Sequence, residues 1–253
     1  MANDPLFDIA GKRVLIAGGA GGLGRVLAAA LADRGARIAV ADIRQDAAKD
    51  AMTALSGAGH ASFRVDVRDE ASCNEAVEKC RAALGGIDVL LNAAGAFKLA
   101  PATELAAADF AEVMAANTTG VFLMSRAAAR AMIPAGGGRI VTLASVSSKV
   151  ANPNYVAYAT SKGALVQMTR ILAMEWAAKG ITVNGIGPAM IPTAMSEDFL
   201  SDPTRAAYAV SKIPAGRLGA PEDLIGMTVL LMSKAGAFVT GQTIFVDGGR
   251  TLL

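Results

Sequence analysis

Short apolar runs alternate with longer stretches of helical spacing along the whole chain. Lys12–Ala17 (KRVLIA), Ala36–Ala41 (ARIAVA), Phe63–Val67, Ile87–Leu91, Arg139–Leu143, Ile181–Ile186 and Thr243–Val246 read as strands. Between them, Leu23–Arg34, Gln45–Leu55, Ala71–Leu84, Phe110–Met132, Tyr155–Ala178 and Pro221–Met232 carry apolar residues at helical spacing. The strand runs hold few polar residues, as strands covered on both faces do. Such alternation predicts a doubly wound α/β sandwich of Rossmann type: a seven-stranded parallel sheet, right-handed crossovers and helices on both faces. No repeat or linker interrupts the pattern, so residues 1–253 are expected to form one domain. The irregular stretch is Ala189–Ala215, with three prolines. A connection of that length reads as short helices in a substrate-covering lid, residues 189–215.

Composition narrows the class. The chain is 53% hydrophobic and 18% charged, a globular rather than a disordered balance. Its net charge of +2, with lysines and arginines scattered singly, predicts neither a nucleic-acid partner nor an anionic membrane surface. No apolar window is long enough to predict a spanning helix. The segment Met1–Ala10 has Asp4 and Asp8 but no basic start or long apolar run, so a signal peptide is not expected and a cytoplasmic location is. Cys73 and Cys80 fall about two turns apart on one helix, too far to bridge, and read as reduced structural thiols. His60 is the sole histidine, which disfavours a zinc site and any triad without it. Within Gly57-Ala58-Gly59-His60 it is expected to be a solvated loop residue.

Chemistry enters after the first strand. Gly18-Gly19-Ala20-Gly21-Gly22-Leu23-Gly24 lies between that strand and the first helix. Glycines there permit positive φ and close approach of backbone to a pyrophosphate, and the helix N-terminus offers free N–H groups. Asp42 closes the second strand, where a carboxylate can bind the adenosine ribose hydroxyls and repel a 2′-phosphate. That predicts NAD. Arg44, two residues on, could pair with a 2′-phosphate and leaves the choice open.

Tyr158 and Lys162 are one turn apart near the start of the long helix, so they share a face. An ordinary tyrosine is a poor base at neutral pH. A neighbouring ammonium and an oxidised nicotinamide are expected to lower its pKa until the phenolate can take an alcohol proton. The spacing alone does not choose a residue, because Tyr208 and Lys212 repeat it. Context does: Tyr158 leads an unbroken helical pattern and follows a strand delivering Ser145. Tyr208 has Met195 at the matching upstream position and Pro214 soon after. Tyr208 is therefore expected to be lid surface or a substrate contact. Ser145, at a strand's carboxyl end, can hydrogen-bond the reacting oxygen as alcohol or as carbonyl; Ser147 and Ser148 compete for that role.

Taken together, these residues resemble the short-chain dehydrogenase/reductase family over essentially the whole chain. Gly18, Gly22 and Gly24 match its glycine pattern. Leu23, Ile43 and the pair Asp66-Val67 fall at cofactor positions, the pair against adenine. Asn92-Ala93-Ala94-Gly95 resembles its Asn-Asn-Ala-Gly element. The resemblance implies a catalytic set of Asn117, Ser145, Tyr158 and Lys162, with Asn117 at a helix kink that holds a proton-relay water in relatives. It also implies cofactor contacts from Asn92, Ala94, Gly95, Tyr158 and Lys162. Further contacts are implied along Asn184–Thr193 from Pro188, Ile191 and Thr193, and a matching carboxyl-terminal strand within Gln242–Gly249. Ala17, Ala93 and Ala189 depart from it, and a positive φ at Ala189 would strain an alanine.

The carboxyl-terminal third is most similar to members acting on sugars and sugar acids, gluconate dehydrogenases among them. Arg217 belongs to that shared segment and reads as structural. The expected activity is NAD-linked interconversion of a secondary alcohol and a ketone, in a homotetramer if relatives are a guide. NADPH-linked reduction of a β-ketoacyl thioester or a small cyclic ketone is the enzymatic alternative. A non-catalytic dinucleotide sensor is the third reading, disfavoured by the intact catalytic set.

Overall fold

The computed structural model describes residues 4–194 and 196–253; Met195 lies outside them. Seven strands form one sheet: β1 (Arg13–Ala17), β2 (Arg37–Asp42), β3 (Ala61–Arg64), β4 (Val89–Asn92), β5 (Gly138–Leu143), β6 (Ile181–Pro188) and β7 (Thr243–Val246). All pairings are parallel and the spatial order is β3-β2-β1-β4-β5-β6-β7. The expected doubly wound architecture is therefore present.

Two-sided burial explains the apolar strands. Along β1, Leu15 and Ala17 face one core while Val14 and Ile16 face the other. The first core is closed by α3 (Glu70–Leu84), α5 (Gly120–Met132) and the end of α6 (Val156–Trp176). The second is closed by α1 (Gly22–Ala32), α2 (Gln45–Thr53) and α9 (Ile225–Met232). Cys73 and Cys80 are free and buried in the first core. Burial pushes both thiols up to about 12, so they behave as small apolar residues rather than nucleophiles.

Several expectations need correction. The helix expected over Phe110–Met132 is α4 (Ala107–Met114), a π-helical turn (Ala115–Thr119) and then α5. Apolar residues are so dense on both sides, in Val113–Ala116 and Val121–Met124, that the phase shift of one extra residue leaves no visible break in the sequence. The third strand lies earlier than expected, at Ala61–Arg64, so Asp66 and Val67 follow its end rather than lie within it. His60 lies in the connection before β3 as expected, but it is half-buried and hydrogen-bonded rather than freely solvated. Its Nδ1 accepts from the Ile38 N–H at 3.1 Å and its Nε2 lies 2.8 Å from the Ser56 carbonyl, so the ring ties the preceding turn to β2. Ala189 carries no strain, because Asn154 alone has positive φ among the described non-glycine residues. The irregular stretch contains two short helices, α7 (Glu197–Leu200) and α8 (Pro203–Ser211). Among the described residues no helix is long and apolar enough to cross a membrane.

Asn184 is a tether and does not line the cavity described below. Wholly buried in β6, its amide donates to the Val239 carbonyl at 2.7 Å and accepts from the Gln242 N–H at 3.1 Å, fixing the approach to β7. Asn184→Ala would strand both backbone groups and is expected to cost about 2–4 kcal/mol. Urea denaturation checks this; a loss under about 0.5 kcal/mol would contradict the tether.

Candidate active site

At the carboxyl ends of the strands the sheet opens into a cavity of about 1120 Å³. The chain leaves β1 toward β2 on one side, while β4 lies on the other, so the crevice between them is left open. Gly18, at φ +81, forms its floor where the Ala94 backbone occupies the space a side chain would need. Gly24 plays a different part. It does not line the cavity, and a Cβ there would strike the Gly18 carbonyl, so it allows α1 to pack on the loop. Gly21 caps α1 with extended backbone and supplies no side-chain acceptor, leaving the first-turn N–H groups for a ligand. Gly22 and Leu23 line the cavity beside them. These features fit a dinucleotide pyrophosphate.

Asp42 ends β2 in the same wall, next to Ile43. One of its oxygens lies 3.3 Å from the Ala20 N–H, and the other accepts from the Arg44 N–H at 3.1 Å. The exposed Arg44 guanidinium lies 3.6 Å from that second oxygen, and its tip sits 3.3 Å from where a Gly21 Cβ would be. An acid and a base thus share the wall at the end of β2. Asp66 and Val67 also line the wall. Hydrogen bonding from Arg68 holds the Asp66 carboxyl below its usual range, against a smaller opposing effect of burial.

Ala94, Gly95, Pro188, Ile191 and Thr193 line the cavity as expected. Asn92 and Asn117 do not. Asn92 is buried behind the wall, donating to Ser125 at 3.1 Å and Thr142 at 3.3 Å, while its Oδ1 has no partner among the described residues. Asn117, in the π turn, accepts from the Ala96 N–H at 2.7 Å and donates to the Ala96 carbonyl at 3.0 Å and to Ser161 at 2.9 Å. Ser161 in turn donates to the Tyr158 carbonyl at 2.7 Å. Asn117 therefore braces the loop after β4 against the first turns of α6.

Ser145, Tyr158 and Lys162 come together at the far side of the floor. Ser145 follows β5, and its Oγ accepts from the Ser147 N–H at 3.1 Å. Lys162 is buried, donates to the Leu143 carbonyl at 2.7 Å, and lies 5.6 Å from the Tyr158 ring centre. The Tyr158 ring meets Phe97 edge-on at 4.8 Å and Tyr155 at 6.3 Å. In this apolar packing burial pushes the Tyr158 hydroxyl up to about 12, with Ser145 as hydrogen-bond partner opposing it, so the expected fall depends on the oxidised nicotinamide as well as on the ammonium. Burial also pushes Lys162 down to about 8. The lysine cannot by itself overcome the desolvation of a phenolate.

The wall also holds residues the sequence did not single out. Phe97 and Tyr155 shape the space around Tyr158, and Phe199, Arg205 and Arg250 line the side toward α8 and the chain end. The second pair, Tyr208 and Lys212, lines that side as well, with Lys212 Nζ 5.1 Å from the Tyr208 ring centre. Tyr208 lies on α8 and Lys212 directly follows it, which brings both to that side. Arg217 is structural, paired with Asp223 at 2.7 and 2.9 Å.

A family profile described as enoyl-(acyl carrier protein) reductase matches residues 18–251. The chain is 39% identical to the 5-keto-D-gluconate 5-reductase of Escherichia coli K12, covering 96% of this chain and 97% of that one. It is 38% identical to the D-threitol dehydrogenase of Mycolicibacterium smegmatis, covering 97% and 95%. A solved gluconate 5-dehydrogenase from Burkholderia cenocepacia J2315, in complex with NADP and tartrate, superposes with a TM-score of 0.93 at 35% identity, covering 98% of each chain.

The buried lysine has a measurable consequence. With its folded pKa near 8 and an unfolded value of 10.5, Lys162 opposes folding while charged. That penalty is present at neutral pH and fades as the pH rises through this window. Tyr158 acts in the opposite sense, but only above its ordinary value of 10. Wild type is therefore expected to gain stability relative to Lys162→Met between about pH 7.5 and about pH 9.5. Urea midpoints at both pH values test this, and a flat difference would show that Lys162 folds without a depressed pKa.

Proposed function

Because this chain belongs to the short-chain dehydrogenase/reductase family, whose named relatives are NAD(P)-dependent and act on CH–OH groups, we propose that it interconverts a secondary alcohol and a ketone on a sugar or sugar acid. NAD is its preferred cofactor in this reading, and Tyr158 is its general acid/base. The observation that carries the proposal is Tyr158 beside Ser145 and the buried Lys162, in one cavity with an uncapped glycine-rich helix start.

Gly18, Gly22 and Leu23 would hold the pyrophosphate, Asp42 the adenosine ribose, Ile43, Asp66 and Val67 the adenine side, and Pro188, Ile191 and Thr193 the carboxamide. When bound, the oxidised cofactor supplies a hydride acceptor and a positive charge facing the catalytic residues. Tyr158 then takes the alcohol proton at its Oη, because the added positive charge offsets the burial that otherwise keeps the phenol protonated. Ser145 donates to or accepts from the reacting oxygen, with its own geometry held by the Ser147 N–H. Lys162 stays near its partner through the Leu143 carbonyl. Asn117 keeps α6 in register with the loop after β4, a positioning role more than a contact with substrate.

Residues 189–215 act as a lid over the substrate within one catalytic domain. The exposed apolar side chains of Met174, Phe238 and Leu252 support self-association, in keeping with the tetramers expected from the resemblance. Arg44 supports some use of NADP, since it lies where a 2′-phosphate would need a cation.

Tyr158→Phe is expected to lower kcat at least about hundredfold while NADH binding, read by fluorescence, persists. Tyr208→Phe should keep most activity, and equal losses in the two variants would assign the chemistry to the wrong tyrosine. For the cofactor, wild type should give the higher kcat/KM with NAD. Asp42→Ala, with Arg44 left in place, should move the NADP/NAD ratio of kcat/KM upward by about tenfold or more. A wild-type preference for NADP would refute the assignment to Asp42.

A further inference from the structure

The cavity wall is unevenly charged. At the glycine-loop end each cation meets a carboxylate: Arg44 lies 3.6 Å from Asp42 and Arg68 lies 2.8 Å from Asp66. Glu112, also in the wall, adds negative charge near Arg68. Toward α8 and the chain end, the charged lining residues are Arg205, Lys212 and Arg250, and no carboxylate lines that side among the described residues.

Arg205 is already engaged, with Nε 3.4 Å from Asp202 and its guanidinium 5.9 Å from the Phe199 ring centre. Lys212 and Arg250 form no ion pair among the described residues. Arg250 donates a single side-chain hydrogen bond, at 3.3 Å, to Asn152 on the wall leading to Tyr158. Asp247, the acid nearest to it in sequence, spends its oxygens on the N–H groups of Gly249 and Thr251 at 3.0 and 2.8 Å.

The backbone brings the two segments that carry these residues together. The Ala215 N–H donates to the Gly248 carbonyl at 2.9 Å, and a Cβ on Gly249 would lie 3.1 Å from Pro214. Residues 248–250 are thus fastened to 213–215, with Lys212 and Arg250 flanking the join. Two half-buried cations without a counter-ion do not stabilise a fold, since they repel and lose hydration. An anion bound on that side of the cavity would offset their cost, and a guanidinium and an ammonium lining one side suit a carboxylate.

We propose that Lys212 and Arg250 form a carboxylate-binding subsite, so that the alcohol presented to Tyr158 belongs to a sugar acid rather than a neutral polyol. This rests on the reading above, in which a sugar-type alcohol reacts at Tyr158. A polyol offers that end of the cavity only hydroxyls and leaves both charges uncompensated. A sugar acid neutralises one and is drawn in by both, with its carboxylate held away from the reacting carbon. Substrate orientation then follows from charge.

D-gluconate and D-glucitol, equal in carbon number and differing in charge, are the probes. Wild type should favour D-gluconate in kcat/KM. In Lys212→Gln/Arg250→Gln the gluconate/glucitol ratio should fall by at least about tenfold, mainly through the KM for gluconate. Arg250→Lys, which keeps the charge, should retain most of the ratio, and thermal melts check that each variant is folded. An unchanged ratio in the double variant, or a wild type that favours glucitol, overturns the subsite. If wild type oxidises neither compound with NAD or NADP, the sugar-alcohol reading is what fails. Calorimetry with D-gluconate then decides the subsite alone: binding weakened in the double variant supports it, and no binding to wild type overturns it.

Discussion

Between β1 and β4 the chain departs in opposite directions, and the site depends on that parting. The connection from β1 returns to β2, while β4 is followed by β5 on the other side, so no crossover roofs the gap. The two strand ends nevertheless press together, with the Ala94 backbone against Gly18. A narrow floor under an open crevice results. The glycine loop after β1, Asp42 at the end of β2 and Ala94 and Gly95 after β4 converge on it, with Ser145 after β5 and Tyr158 and Lys162 on α6. Each side chain is placed by a strand end or a helix start, which costs little ordering entropy when the substrate arrives.

The chemical pair inside this crevice is poised but incomplete. Burial favours a neutral Tyr158 and weakens the hold of Lys162 on its proton. An ammonium and an oxidised nicotinamide both favour the phenolate, while desolvation in this apolar packing opposes it. A positive cofactor changes the balance. The protein's own packing favours the neutral phenol at Tyr158.

Legibility followed physics residue by residue. Strands were legible because burial on both faces forces unbroken apolar runs, as in Val14–Ala17. Tyr158 was separable from Tyr208 because a long helix and a preceding strand leave different patterns from a short, proline-flanked one. The π turn was not legible, because the apolar residues flanking it are dense enough to hide a shift in phase. His60 was misread because its two hydrogen bonds, to Ile38 and Ser56, depend on a loop conformation that composition does not encode. Asn92 and Asn117 sat in recognisable motifs, yet they brace the wall from behind instead of lining it. Lys212 and Arg250 drew no attention together, since only the folded carboxyl terminus brings their segments to one side of the cavity.

The added residue at Ala115–Thr119 also limits how this chain can vary in length. Each helical residue turns the chain by about 100°. Up to Met114 the helix presents Glu112 to the cavity, and from Gly120 onward it presents Leu123, Met124 and Ala127 to the core. Deleting one residue between them would restore a regular helix while rotating one of those faces out of place. The segment can accept many changes of side chain, but it has almost no tolerance for a change in residue count.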